Sequence, residues 1–212
     1  MAEYVLDCFA QSGNAYKVAL MLEVCGADWE PRKVDFFNGE TRSPAFRETN
    51  VMGEAPVLHH GDVTLSQSGV ILDYLAEKLG RFGPADNDER REIMRWILWD
   101  NHKFTGYTAI YRFLRTFVPS PEKPVVDFLY GRAVSSWKVL ETHMSNREFV
   151  ALDRMTIADF SLCGYCFFAD EIGVDGSSDY PAIQAWLDRI AAQEGWKHPY
   201  ELMPGHPLPD RG

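Results

Sequence analysis

The stretch Gly53–Ser68 (GEAPVLHHGDVTLSQS) carries the groups best suited to hold a small peptide. Pro56 directly precedes an apolar pair, and because proline has no N–H to donate, we expect it at the first residue of a strand or on a sheet edge. Gln67-Ser68 directly precedes a helical pattern, which places free backbone N–H groups at a helix N-terminus. A strand edge beside a helix N-terminus can bind a peptide through its backbone and its carboxylate.

A second cluster of small polar residues, Ser12-Gly13-Asn14, falls between a predicted strand and a predicted helix. Serine and asparagine at such a position can cap the helix, because their side-chain oxygens accept hydrogen bonds from backbone N–H groups of the first turn. Taken alone, these residues favour this structural role over a chemical one.

The remaining candidates for chemistry are four cysteines and six histidines. Cys163 and Cys166 have the spacing of a redox pair, but such a pair is expected where the first helix of a thioredoxin-type unit opens. These two fall inside an apolar helical pattern instead, so we expect buried structural thiols. His59-His60 is interpreted as a solvent-exposed turn. The histidines show no metal-ligand spacing, and the sequence therefore predicts no metal cofactor.

The elements that must position these residues begin with an α/β pattern over 1–80. They are, in order, a strand over Tyr4–Phe9, a helix over Asn14–Val24, an edge strand over Trp29–Asp35, a loop with one short helix over Asn38–Asn50, the hairpin of Gly53–Ser68, and a helix that ends near Leu79. The first strand, helix and strand form a βαβ unit, and the hairpin adds antiparallel strands. This order predicts a thioredoxin-like domain with a mixed four-stranded sheet.

The rest of the chain is predicted to be all helical. Residues 81–87 form a linker, because Gly83-Pro84 breaks regular structure. Thr156-Ile-Ala-Asp159 is a capping box, which specifies one helix start. The helical patterns run over Asp88–Val118, Val125–Met144, Thr156–Ala169 and Pro181–Ala192, followed by an extended tail with Pro199, Pro204, Pro207 and Pro209. We assign residues 88–212, including this tail, to an all-α domain.

Composition excludes several classes of function. The formal net charge of −10 argues against nucleic acid or an anionic membrane surface as a partner, because both require clustered Lys and Arg. No apolar run approaches the ~20 residues that span a bilayer. The start of the chain lacks the basic and apolar segments of a signal peptide, so we expect a cytoplasmic protein with reduced thiols.

Together these features resemble the cytosolic glutathione transferases. The resemblance rests on the thioredoxin-like first domain, Pro56 after a polar loop, Gln67-Ser68 at a helix start, the linker, and the Thr156–Asp159 capping box within an all-helical domain. It covers nearly the whole chain, and Gln11–Lys17 is most similar to bacterial members with Ser or Thr at the active turn. The resemblance implies a homodimeric detoxification enzyme with glutathione as co-substrate.

The resemblance also implies roles for individual residues. Pro56 matches the proline that is cis in the family and that turns the backbone of Ala55 toward the cysteinyl part of glutathione. Gln67 and Ser68 match the pair that binds the γ-glutamyl carboxylate at a helix N-terminus.

Further residues are expected to contact the γ-glutamyl amine and the glycyl carboxylate at the two ends of glutathione. Asp100 stands where some classes place an acid that reaches the γ-glutamyl amine of the neighbouring subunit, and Asn101 is its rival. Glu54, within the predicted glutathione-binding stretch, departs from the family, where a basic or polar residue is common. We expect it to weaken the attraction for the glycyl carboxylate, a contact that Arg42 or Lys33 could replace.

The implied chemistry is ionisation of the glutathione thiol, whose free pKa is roughly 8.5. Lowering this pKa by about two units requires roughly 2.7 kcal/mol of preferential thiolate stabilisation. A hydroxyl hydrogen bond and a helix N-terminus together supply that order of magnitude. We therefore expect Ser12 to donate to the sulfur, with Asn14 next. Tyr4 is a rival donor inside the first strand, where Cys8 also lies.

The thiolate is expected to attack a small apolar electrophile held between the two domains. The candidates for that pocket are Phe9, Phe104, Tyr107 and Tyr111. Two alternatives stay open at this point: a glutathione-dependent disulfide or peroxide reductase, and a non-catalytic protein that carries glutathione or another ligand.

Overall fold

The computed structural model describes residues 2–174 and 176–208. It divides into two compact units, Met1–Arg81 with Gln193–Gly212, and Phe82–Ala192. The predicted fold class, a thioredoxin-like domain with a mixed sheet and an all-helical domain, is confirmed. No helix in the described ranges is both long and apolar enough to cross a lipid bilayer.

The first unit follows the predicted order of elements. These are β1 (Tyr4–Cys8), α1 (Gly13–Val24), β2 (Trp29–Lys33), two 3-10 turns (Phe36–Asn38 and Glu40–Arg42), α2 (Pro44–Thr49), β3 (Val57–His60), β4 (Val63–Ser66) and α3 (Ser68–Leu79). The sheet order is β2-β1-β3-β4; β1 and β2 are parallel, and the other two pairs are antiparallel. β2 lies at an edge, as Pro31 predicts.

Buried apolar residues fix α1 and β1 at the centre of this unit. Tyr4, Leu6 and Cys8 alternate along β1 and are almost fully buried. Every residue of α1 from Ala15 to Leu22 is buried, and α1 contacts α3 as well as the sheet. Burial on this scale is the main force that holds such a helix in place, since each buried large aliphatic side chain contributes about 1.5–3 kcal/mol.

The last residues of the chain pack with the first unit, so their assignment to the helical domain is wrong. The hydroxyl of Tyr16 on α1 donates to the carbonyl of Lys197 (2.9 Å), and the N–H of Ala10 donates to the carbonyl of Pro204 (2.8 Å). The segment is also not extended throughout, because Pro199–Leu202 forms a short helix, α11. Pro209 lies outside the described residues.

The helical unit consists of α4 (Asn87–Trp99), a π segment (Asp100–Phe104), α5 (Thr105–Phe117), α6 (Lys123–Met144), α7 (Ile157–Cys163), a 3-10 turn (Cys166–Phe168), α8 (Ala169–Ile172), α9 (Gly176–Asp179) and α10 (Pro181–Ala191). The single helix predicted over Asp88–Val118 is thus two α-helices joined through a π segment. The helix predicted over Thr156–Ala169 ends early, before Gly164, a residue type with low helix propensity.

The predicted capping box at the start of α7 is present and does more than cap. Asp159 Oδ2 accepts hydrogen bonds from the N–H (2.8 Å) and the hydroxyl (3.2 Å) of Thr156. Its Oδ1 accepts from the N–H of Val150 (2.9 Å) and the indole N–H of Trp186 on α10 (2.9 Å). Asp159 is fully buried, so one carboxylate ties α7, α10 and the preceding loop together.

Asp159→Ala is expected to lower the free energy of unfolding by at least about 3 kcal/mol, because it leaves several buried donors without an acceptor at about 1–3 kcal/mol each. Chemical denaturation followed by far-UV circular dichroism measures the change. Asp153→Ala, which removes an exposed carboxylate from the same loop, is the matched control and should stay within about 0.5 kcal/mol of the parent. Equal midpoints for the two variants would contradict this role.

Candidate active site

The register of the strands brings three segments to one end of the sheet. β1 pairs with β3 so that Asp7 lies opposite Val57, and Pro56 therefore precedes β3 beside the end of β1. β3 pairs with β4 so that Val57 lies opposite Ser66, and Gln67 therefore follows β4 at this same end. α1 begins just after β1, and α3 begins just after β4. The N-termini of these two helices and Pro56 therefore lie at the same end of the sheet.

Ser12 is the N-cap of α1, and its side chain is arranged for a second role. Its Oγ accepts a hydrogen bond from the N–H of Ala15 (3.1 Å), and its own N–H donates to the carbonyl of Phe9 (3.0 Å). Capping uses a lone pair of the oxygen and leaves the hydroxyl proton available. The Ser12 hydroxyl donates to no residue in the described part of the chain. The capping role and the donor role predicted for Ser12 are therefore compatible.

Asn14, the second candidate donor, lies in the first turn of α1. Its Oδ1 is buried and has no hydrogen-bond partner within residues 2–174 and 176–208. A buried polar atom without a partner costs about 1–3 kcal/mol. The unsatisfied group next to Ser12 is an acceptor, so it would take a donor of a ligand and not a thiolate. Asn14 stays a candidate for contact with a bound ligand.

The loop that enters β3 has the geometry that the resemblance implies. The Ala55–Pro56 peptide is cis, and Ala55 is half-buried. The side-chain amide of Asn50 donates to the carbonyl of Glu54 (2.7 Å) and holds the loop in place. Gly53 has a positive φ of 65°, and a Cβ there would lie 2.8 Å from the carbonyl oxygen of Thr41, so only glycine fits.

Gln67 and Ser68 form the entry to α3. Gln67 has a φ of 70°, which is uncommon for a residue other than glycine and costs of order 1–3 kcal/mol. Its Nε2 donates to Glu54 Oε2 (2.9 Å), which helps to hold this conformation. Ser68 is buried at the first position of α3, where the backbone N–H groups have no intrahelical partner. Such a helix end favours an anion.

A cavity of about 300 Å³ adjoins the β1–α1 turn within the first unit. The side chain of Phe9 stacks on Phe36 with ring centroids 4.7 Å apart and meets Phe37 edge-on at 6.2 Å. The cavity is lined by Phe9, Gln11, Lys33, Val34, Asp35, Phe36, Phe37, Asn38, Gly205, Pro207 and Leu208. Its wall is thus partly aromatic and partly made by the C-terminal segment.

Two of the residues predicted for the electrophile pocket do not line the cavity beside Phe9. Phe104 is fully buried in the helical unit, with its ring against Trp137, and Tyr111 is buried against Tyr130. Both are core residues, and their assignment to the pocket is wrong. Tyr107 is half-buried and remains a candidate, whereas Phe9 is the predicted residue that lines the cavity.

Asp100 also lies in a different environment from the one predicted. Its carboxylate is fully buried within the helical unit and accepts hydrogen bonds from the hydroxyls of Thr105 (2.7 Å) and Ser161 (2.6 Å). A carboxylate buried and bonded in this way is not exposed to the amine of a neighbouring subunit, so the expectation for Asp100 is corrected. Asn101 is exposed, and its amide donates to the carbonyl of Ile97 (2.9 Å).

Both cations proposed for the glycyl carboxylate are exposed. Lys33 lines the cavity near Phe9, and Arg42 lies in a 3-10 turn with its guanidinium against Gly39. Neither forms an ion pair with a carboxylate in the described part of the chain. Each is therefore able to receive an anionic ligand.

Burial disfavours the two rival groups on β1 as anions. Burial raises the pKa of Tyr4, and the carboxylate of Glu3 raises it further. Burial raises the pKa of the Cys8 thiol to about 12. Both groups therefore stay protonated at neutral pH, and Tyr4 keeps a proton that it could donate. Tyr4 lies opposite His60, however, at the end of β1 away from Pro56, so the turn at Ser12 is the better-placed donor.

His59, His60 and the two paired cysteines are packed within the fold. His59 and His60 lie in β3 and are half-buried, so their interpretation as an exposed turn is wrong; His59 Nε2 lies 3.0 Å from Asp7 Oδ2. Cys163 and Cys166 are buried, and their thiols donate to the carbonyls of Phe160 (3.5 Å) and Leu162 (3.4 Å). Within the described residues, no group of three or more His, Cys, Asp or Glu side chains is placed to hold a metal ion.

Two family models match most of the chain. The model for the glutathione S-transferase N-terminal domain matches residues 5–77, and the model for the C-terminal domain matches residues 108–194. A crystal structure of glutathione S-transferase from Pseudomonas fluorescens is 31% identical, with a TM-score of 0.86, over 92% of this chain and 98% of that chain. The chain belongs to the glutathione S-transferase family.

Curated relatives of this family member differ in their named activities. A probable glutathione S-transferase of Oryza sativa is 28% identical over 89% of this chain and 91% of its own length. The disulfide-bond oxidoreductase YghU of Escherichia coli is also 28% identical, over 87% of this chain and 69% of its own length. The family thus supports a glutathione transferase or a related glutathione-dependent activity.

The contact between the C-terminal segment and the β1–α1 turn generates a test of this geometry. Truncation after Met203 removes the carbonyl of Pro204 that accepts from Ala10 N–H, so the Ala10 amide should exchange with solvent faster by about an order of magnitude or more. Residue-resolved hydrogen exchange measures this rate. The Gly39 amide, which donates to Phe36 in the same unit, is the internal control. Unchanged protection at Ala10 would show that the segment does not hold the turn.

Proposed function

We propose that this protein is a glutathione transferase that activates the thiol of glutathione at Ser12. One observation carries the proposal. The strand register places the N-terminus of α1, the cis Ala55–Pro56 peptide and the N-terminus of α3 at one end of the sheet. A tripeptide with a thiol in its middle residue and carboxylates at its ends matches this arrangement of donors.

Glutathione is bound in an extended conformation in this proposal. The backbone of Ala55 pairs with the cysteinyl residue, as strand edges pair with peptides. The γ-glutamyl carboxylate lies at the N-terminus of α3, where the N–H groups of the first turn and the hydroxyl of Ser68 are donors. Lys33 or Arg42 receives the glycyl carboxylate, since each is an exposed cation without an ion-pair partner among the described residues.

The thiol is ionised at the turn between β1 and α1. The hydroxyl of Ser12 donates to the sulfur while its oxygen continues to cap α1, and the helix N-terminus adds favourable potential for the thiolate. The side-chain amide of Asn14 is the second donor that could contribute. The thiol proton passes to solvent, and the thiolate is then the nucleophile.

The thiolate attacks an apolar electrophile held against the aromatic wall of Phe9, Phe36 and Phe37. A carbon–sulfur bond forms, and a leaving group such as chloride departs with the bonding electron pair. The size of the cavity, about 300 Å³, suits one small aromatic molecule.

The second candidate function is glutathione-dependent reduction of a disulfide. It is favoured by the relative from Escherichia coli that is named a disulfide-bond oxidoreductase. In that reaction the thiolate attacks a mixed disulfide of glutathione, oxidised glutathione forms, and the other thiol leaves. The same Ser12 would serve it. Cytoplasmic location and a homodimer stay predictions, as does the non-catalytic binding protein.

Ser12→Ala is expected to shift the pH profile of kcat/KM for a chlorinated aromatic electrophile toward higher pH. Without the hydroxyl, the pKa of the bound thiol rises toward its free value of roughly 8.5, so the rate is lost mainly below that pH and recovers above it. The Kd for glutathione should stay within a few-fold, because its carboxylates bind elsewhere. Steady-state kinetics from pH 6 to 9 with calorimetric titration gives both quantities.

Ser12→Thr is the matched control, since threonine keeps the hydroxyl and the cap, and its profile should follow the parent. Asn14→Ala separates the two candidate donors. If the pH profile of kcat/KM shifts in the Asn14→Ala variant and not in the Ser12→Ala variant, the sulfur contact belongs to Asn14. If kcat/KM of the Ser12→Ala variant falls by the same factor at every pH, the substitution has damaged α1 and has not changed the ionisation of the thiol. Turnover of a small mixed disulfide without turnover of the electrophile would favour the reductase.

A further inference from the structure

The γ-glutamyl end of glutathione carries a cation as well as a carboxylate, and the structure leaves that cation without its expected acid. The α-ammonium lies on the same carbon as the carboxylate, so it must be close to the N-terminus of α3 when the carboxylate binds there. A helix N-terminus repels a cation. Asp100 is buried and bonded to two hydroxyls of its own unit, so it does not supply the compensating charge.

Glu54 lies where such a charge is needed. Its carboxylate is exposed, and Oε2 accepts a hydrogen bond from Gln67 Nε2 at 2.9 Å. Its backbone is fixed as well, because its carbonyl accepts from the Asn50 amide at 2.7 Å. Gln67 is the residue that directly precedes Ser68 and α3, so these contacts hold the carboxylate of Glu54 beside the helix entry.

We propose that the carboxylate of Glu54 binds the γ-glutamyl ammonium of glutathione. The inference rests on the proposed function and adds a residue to it. The carboxylate has lone pairs left after it accepts from Gln67, so it can accept an ammonium donor at the same time. Gln67 then serves as a positioning residue that sets the side chain of Glu54.

This role reverses the effect that the sequence predicts for Glu54. If the carboxylate lay beside the glycyl carboxylate, it would repel glutathione, and its removal would strengthen binding. If it lies beside the ammonium, its removal weakens binding. The carboxylate of Glu54 accepts a hydrogen bond from Gln67, the residue that directly precedes α3, which favours the second arrangement.

The experiment compares two ligands and three proteins by isothermal titration calorimetry. The ligands are glutathione and glutaryl-cysteinylglycine, which lacks only the α-amino group. The proteins are the parent, Glu54→Gln and Glu48→Gln. Glu54→Gln keeps an oxygen that can accept from Gln67 but removes the charge. Glu48→Gln removes an exposed negative charge from α2 and controls for net charge.

We expect Glu54→Gln to weaken the binding of glutathione by about 5- to 20-fold, as for a charge-assisted hydrogen bond that the ligand partly shields from water. Its affinity for the deaminated analogue should stay within about twofold of the parent, because the partner of the carboxylate is missing there. Glu48→Gln should match the parent with both ligands. The weakening should also diminish at high salt.

Several results would overturn the inference. Equal weakening with both ligands would show that Glu54 only supports Gln67. Tighter binding of glutathione by Glu54→Gln would place the carboxylate beside the glycyl end. Unchanged affinity for both ligands would remove Glu54 from the site. These outcomes are distinct from failure of the proposed function itself, in which the parent protein binds neither ligand.

Discussion

The antiparallel register between β1 and β3 is the constraint on which the site depends. Asp7 opposite Val57 places Pro56 beside the end of β1, and the turn to β4 then returns Gln67 to the same end of the sheet. Val57 and Leu58 are both buried, and a slip of one residue would exchange the side chains that the two faces of β3 present to their neighbours. The register determines which backbone groups a bound peptide would meet at this end of the sheet.

Two helix N-termini at this end of the sheet have different proposed ligand groups. In the proposed complex, α3 offers its first-turn N–H groups to a carboxylate, just after Gln67 with its positive φ. In the same proposal, α1 offers the hydroxyl of Ser12 to a sulfur, while the oxygen of that hydroxyl accepts the capping hydrogen bond from Ala15. The two helices contact each other in the core of the first unit, so packing ties the distance between the two ends to the fold.

Local signals in the sequence predicted much of this structure, and the misses share a physical cause. Proline before an apolar pair, a polar pair before a helix, and Thr156 with Asp159 each act through the nearest few residues, so each was found. Burial of a polar group depends on partners far along the chain. Asp100 is enclosed by Ser161, which is 61 positions away, and no local pattern indicates that contact.

The residues around the cavity also include some with a local sequence signal and some that depend on contacts far along the chain. Phe36 and Phe37 are adjacent aromatic residues in the segment that follows β2. This pair is the sequence signal that could have indicated the aromatic wall of the cavity. The contribution of the C-terminal segment had no such signal, because its proline-rich composition predicts an extended chain but not the surface on which it packs. The contacts of that segment with Ala10 and Gln11 form only in the folded unit.

The pKa of the glutathione thiol in the complex tests the central claim most directly. Thiolate absorbance in the ultraviolet, followed against pH with glutathione at saturation and with free glutathione as reference, gives this value. A hydroxyl donor at a helix N-terminus predicts a pKa near 6.5, about two units below the roughly 8.5 of the free thiol. A bound thiol that titrates at the free value would contradict the account, whatever the affinity of the protein for glutathione.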